Sequence, residues 1–152
     1  MNRRAWMASE EGQVGGAEVL AFGLLVFVVG SLLAANAWAV VDAKLAVTAA
    51  AREAARTYVE SDGSTAALAD AEATGREAIA GHGRDPDRLV LRHDETDFVR
   101  CQRAAFRAEY PVPALTLPFV GGFGRPFTVA ATHTEIVDPL RRGLGPANTC
   151  GS

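Results

Sequence analysis

Between Glu18 and Asp42 the chain carries no aspartate, glutamate, lysine or arginine, and no proline occurs before Pro86. Nothing of that kind interrupts a helix over the first half of the protein. Cysteine is scarce: Cys101 and Cys150 lie far apart without CxxC spacing, which argues against a zinc site or a redox dithiol. His82, His93 and His133 have no metal-ligand spacing among themselves or with cysteine. No serine sits in a GxSxG elbow. The GGFG run at 121–124 lacks the Lys–Ser/Thr and the helix start of a phosphate loop. Asp85, Asp87, Asp94, Glu95 and Asp97 cluster without matching a calcium loop, and read as a solvated acidic segment. Net charge is −3 with no long basic block, so the electrostatic footprint of nucleic-acid binding is missing. No enzyme activity, cofactor, metal or small-molecule substrate is expected. A Ser/His/Asp triad assembled in three dimensions is left open, but nothing points to one.

What the chain does have is a long apolar run. Val19 to Val41 is about 23 residues, or about 35 Å as a helix, enough to cross a hydrocarbon core of about 30 Å. In lipid the backbone must pair internally, so the run is predicted to be helical. Trp38 near its end suits an interfacial anchor. Asn36 either bonds to a neighbouring helix or sits near the headgroups. A cleaved secretory signal is the competing reading. Arg3 and Arg4 supply its basic start and Ala35–Asn36–Ala37 a cleavage-like triplet. The run is longer than a signal's apolar core of about 7–15 residues, and helical sequence continues past it, so a retained anchor is favoured. Arg3 and Arg4 place the N-terminus inside the cell and the C-terminal part outside.

Residues 1–17 read as a short flexible leader, with Gly12, Gly15 and Gly16. The junction GQVGGAEVLAFGLL sets a polar, glycine-containing leader and a lone glutamate before the apolar helix, the pattern of a type IV prepilin-like N-terminus. With the following AAAREAAR, it resembles the TadE-like family of small pilin-like membrane proteins. The resemblance covers the anchor and its extension closely, and reaches the rest in outline through RAAFRAEYPVPALTLPF and the late strand. It implies a pilin-like fold, other pilin-like subunits and a prepilin peptidase as partners, and a place in a Tad/Flp-type pilus or secretion apparatus. It also implies cleavage after Gly12, with Gln13 as the new N-terminus and Glu18 as the assembly glutamate. Glu18 is the sixth residue after Gly12, whereas the family pattern has the fifth; a cut after Gln13 restores the spacing and loses the glycine.

Glu18 has a physical case of its own. A carboxylate at the edge of an apolar helix is costly to bury unless paired, and a neighbour's free N-terminal amine is a suitable partner. The alternative is a solvated residue at the helix start, favoured by the macrodipole.

Residues 42–60 extend the helix, with Leu45, Ala49 and the Ala46–Ala50–Ala54 row forming a stripe of small residues. The stripe faces either the domain's own sheet, the default, or a neighbour's helix. Ser61–Asp62–Gly63–Ser64 breaks the helix. Thr65–Ala80 reads as a second helix with Leu68, Ala71, Gly75 and Ile79 on one face, capped by Ser64 or Thr65 and ended by Gly81 or Gly83. Three strands are predicted around Leu89–Leu91, over Val99–Val112 and over Phe127–Val137, with a turn at Asp94–Asp97. The apolar segment Pro113–Pro126 reads as a loop that either folds back over the sheet edge or marks a contact site.

The fold expected is therefore α+β: a transmembrane helix over 18–41, its extension over 42–60, an extracytoplasmic domain over 61–140 with a second helix and a three-stranded antiparallel sheet, and a tail over 141–152. Outside the cytoplasm, Cys101 at the start of the second strand and Cys150 in the tail are placed to form a disulfide; the alternative is two unrelated thiols. The leading functional expectation is a pilin-like, single-pass cell-membrane subunit. The alternative is a monomeric, membrane-tethered extracytoplasmic binding or sensing module, with an anchored enzyme as a weaker third class.

Overall fold

In a computed structural model, residues 11–94, 96–117, 119–144 and 150 are described. The chain is α+β, with a long N-terminal helix α1 (Glu11–Glu60), a second helix α2 (Thr65–Gly81), a 3-10 turn (Pro86–Arg88) and five strands, β1 (Val90–His93), β2 (Arg103–Val112), β3 (Leu115–Leu117), β4 (Gly121–Phe123) and β5 (Phe127–Ile136). It divides into two units at Trp38/Ala39. The first unit contains the apolar part of α1. From Glu18 to Trp38 no side chain on it is buried, and it supplies a helix long and apolar enough to cross a membrane.

The second unit is built on a stripe of alanines. Ala43, Ala46, Val47, Ala50, Ala51, Ala54, Ala55 and Tyr58 recur at helical spacing along α1 and are all buried. Leu45, which the sequence reading put in this stripe, lies off it and is 57% exposed. Alanine keeps the stripe shallow, so α2 approaches at backbone distance. Gly75 of α2 is needed for this: a Cβ there would lie 3.3 Å from the Ala50 carbonyl oxygen and 3.5 Å from the Ala54 Cβ. Ala67, Ala71 and Ile79 complete the buried face of α2, with Leu68 partly buried beside them.

Both ends of α2 are capped by local chemistry. The Ser64 side chain accepts a hydrogen bond from the Ala67 N–H (3.2 Å). At the other end Gly83, at φ +69°, donates to the Ala80 carbonyl (2.8 Å) and Arg84 donates to that of Ile79 (3.3 Å), the pairing of a Schellman motif.

The main sheet is antiparallel in the order β1-β2-β5. Alternation along β2 turns Ala104, Phe106, Ala108, Tyr110 and Val112 into the core, where Val129 and Ala131 of β5 join them. The other face carries Arg103, Arg107 and Glu109, with an Arg107–Glu109 ion pair at 2.6 Å. Toward the end of α1, Tyr58 meets Phe98 and Phe106 edge-on at 5.3 and 5.5 Å, and His93 stacks on Phe106 at 5.8 Å. Burial pushes the Tyr58 hydroxyl above the ordinary tyrosine value.

Three boundaries differ from the sequence reading. β2 starts at Arg103, not Val99, because 99–102 form a turn: Gln102 donates to Val99 O (3.1 Å) and Cys101 sits at φ +66°. β1 is displaced C-terminally to Val90–His93, leaving Leu89 as a buried core residue. The segment read as a loop over Pro113–Pro126 contains a hairpin of its own, β3 paired with β4 through Leu115↔Phe123 and Leu117↔Gly121. It forms a separate two-stranded sheet. In addition, α1 begins at Glu11, inside the stretch assigned to a flexible leader over 1–17.

Candidate functional site

The apolar part of α1 carries the residues that the sequence singled out. Gly12 and Gln13 fall in the first turn of α1, and their side chains lie outside the described residues. Glu18 is exposed and sits about two turns into the helix.

C-terminal to Glu18, apolar side chains project on every side. Leu20 is 75% exposed, Phe22 67% and Phe27 72%. A helix that is apolar all round is covered by lipid or by other helices. Gly23 and Gly30 lie seven residues apart, hence on one side of the helix, and a Cβ at either would meet nothing within 4 Å. Gly30 lines a shallow apolar groove with Leu25, Val26, Val29 and Leu33. A small residue on such a face lets another helix approach closely. The amide of Asn36 donates to the Leu32 carbonyl at 2.8 Å, one turn back in the same helix.

In the second unit, the segment where the apolar run closes is tied to the sheet. Arg84, delivered by the turn after α2, donates to the Asp42 carboxylate (2.7 Å) and the Ala39 carbonyl (3.1 Å), and lies over the Tyr110 ring at 5.6 Å. Arg88 covers the same ring at 5.3 Å and donates to Pro111 O (3.1 Å). Lys44 donates to the Ala130 carbonyl. The Arg84 side chain is only 16% exposed; burying a guanidinium is costly unless its charge is met, and Asp42 meets it. This clamp was missed in the sequence, where Arg84 stands in a loop; its position just after a helix-ending glycine was the available signal.

At the opposite end, Cys101 and Cys150 are joined in a disulfide, with their Cα atoms 5.1 Å apart. The segment leading to Cys150 is held by side chains as well. Arg100 donates to Arg141 O (2.7 Å), and Arg141 donates to Val59 O (2.7 Å) while lying over Phe98.

Among the described residues no group of three or more His, Cys, Asp or Glu side chains is placed to hold a metal. His133 and Glu135 pair at 2.8 Å on β5, and among the described residues no serine or cysteine is hydrogen-bonded to that histidine. The depression lined by Tyr58, Leu68, His93, Thr96 and Asp97 is wide open to solvent and offers none of the enclosure that a small-molecule site needs.

Comparison with protein-family models, with curated proteins and with solved structures finds no match.

Proposed function

We propose that this protein is a pilin-like structural or assembly subunit of a Tad/Flp-type pilus or secretion apparatus, related to the TadE-like proteins. It acts by packing the apolar part of α1 laterally against the helices of other pilin-like subunits, with the α+β domain carried outside the cell membrane. The observation that carries this reading is Glu18, an exposed carboxylate two turns into a helix whose following side chains are apolar all round. In a packed helical array the amine of a neighbouring processed subunit meets that charge; in a lone anchor only water and headgroups do. The apolar groove at Gly30 gives such a neighbour a seat, and the Cys101–Cys150 bond fits an oxidising, extracytoplasmic compartment.

Replacing the carboxylate tests the reading. Glu18→Ala is expected to leave membrane insertion and domain folding unchanged, and to lower recovery of the chain with other pilus components several-fold. Quantitative immunoblotting of membrane and assembled fractions reads this. Unchanged co-recovery would favour a monomeric tethered module.

A further inference from the structure

The second unit has two faces that its own packing leaves uncovered. Both helices lie on one side of the main sheet: a Cβ at Gly75 of α2 would meet Ala50 O of α1 at 3.3 Å and Leu91 of β1 at 3.4 Å. Alternation along β2 sends Arg103 and Arg107 to the other side, where both are exposed. There Arg92 of β1 is the direct cross-strand partner of Arg107, and like charges placed opposite one another destabilise a sheet. Glu109 answers part of this. It accepts from Arg107 at 2.6 Å, and Arg107, with Arg92 nearby, holds its carboxyl below the ordinary glutamate value. Asp94 stands at the rim, just past β1. Arg103 has no ion-pair partner among the described residues. The floor beside these arginines is flat, because Ala130, Thr132 and Thr134 of β5 pair with Glu109, Arg107 and Ala105.

The other uncovered face is the outer side of α2. Ala67, Ala71, Gly75 and Ile79 point into the core. Ala66, Ala69, Ala73 and Ala80 form an exposed ridge opposite them, where a helix in water ordinarily carries polar and charged side chains. Along one flank of the ridge Asp70 and Glu77 are exposed, with no ion-pair partner among the described residues. Arg76, on the other flank, is engaged by Glu72 at 3.2 Å. The dimensions of the two faces agree. Asp70 and Glu77 are separated by about 10.5 Å along the helix. Arg103 and Arg107 are separated by about 13 Å along the strand, a difference that long arginine side chains close.

We propose that the outer ridge of α2 in one copy of this chain lies on the open face of the main sheet in the next, with Asp70 and Glu77 meeting Arg103 and the Arg92–Arg107 pair. Alanine against alanine and threonine lets the two surfaces come close enough for the charges to meet. The patches are different parts of one molecule, so the contact is heterologous. Repeated without closing into a ring, it builds a filament in which each copy keeps a free face for the next. Its biological setting rests on the subunit reading above, but the contact itself uses neither Glu18 nor the apolar part of α1.

The test uses the purified full chain in a neutral detergent at low ionic strength, where exposed charges are least screened. A photo-crosslinking residue replaces Ala73. The parent is compared with a sheet-reversed variant, Arg92→Glu with Arg103→Glu, and a helix-reversed variant, Asp70→Arg with Glu77→Arg. All four side chains are exposed, and far-UV circular dichroism checks that both variants keep the parent's fold. The parent is expected to give covalent dimers whose crosslink maps by mass spectrometry to residues 103–109 or 128–136. Either variant alone should give at least tenfold fewer. Dimers should return when the helix-reversed variant carrying the photo-residue is mixed with the sheet-reversed variant lacking it, because the swapped charges attract again. Absence of dimers in the parent, crosslinks mapping elsewhere, persistence in either variant or no recovery in the mixture would each overturn the proposal. These failures leave the Glu18→Ala result untouched. Unchanged co-recovery of Glu18→Ala beside the expected crosslinks would sink the reading of α1 and keep this contact.

Discussion

Phe106→Ala is expected to destabilise the α+β domain by about 3–5 kcal/mol, the upper range for truncating a buried aromatic. Phe106 is 1% exposed and is the largest fully buried side chain among the described residues. It touches Tyr58 edge-on and stacks on His93, contacts worth about 0.5–1.5 kcal/mol beyond area burial. Its other neighbours are what make the loss large. Ala54, Ala55, Ala71 and Ala104 share its cluster, and alanine has no rotamer with which to fill a void. Closing the cavity would require α1 and α2 to move, and their backbones are already in near contact at Gly75. A domain of this size is stable by about 5–15 kcal/mol, so the variant should lose a large share of that margin. Urea unfolding of the full chain in detergent, followed by far-UV circular dichroism, should show a lowered midpoint with little change in slope. Leu140→Ala, at a side chain 86% exposed, should stay within about 0.5 kcal/mol of the parent.

Loss of the Cys101–Cys150 bond is the second large effect. The bridge spans a sequence separation of 49 residues, and loop-closure entropy for such a length predicts about 4 kcal/mol, with about 2–4 typical in practice. The native fold should survive reduction, because Arg100 and Arg141 still hold the segment at Val59 and Phe98. The double substitution Cys101→Ser and Cys150→Ser is therefore expected to lower the unfolding midpoint without changing the secondary structure. The parent measured in reductant should match it. Equal midpoints for the parent with and without reductant would show that the bridge contributes nothing.

Periodicity made most of the architecture readable. The alanine stripe of α1, the Ala71–Gly75–Ile79 face of α2 and the alternation from Arg103 to Val112 each repeat long enough to show their period. Leu45 was misplaced because alanine-rich helices present small residues on more than one side, so size alone does not mark the buried one. The hairpin was read as a loop because its strands are three residues each, too short for a period, and sit among Pro113, Gly121, Gly122 and Gly124. The turn at Cys101 was invisible because a cysteine at positive φ has no sequence signature; the disulfide and the bonds to Val137 hold it there. At Glu18 the residue and its setting were legible, since a lone acid before an apolar run stands out. What it pairs with is not a property of one chain, because the proposed contact lies between subunits.

The central claim is that the apolar face of α1 packs against other pilin-like helices in the membrane. A photo-crosslinking residue introduced at Val26 or Leu33, which flank Gly30 in the apolar groove, reads this directly in cells. Adducts identified by mass spectrometry as single-pass, pilin-like subunits, and lost in the Glu18→Ala background, are the predicted result. Adducts to lipid alone, at both positions and in both backgrounds, would contradict it.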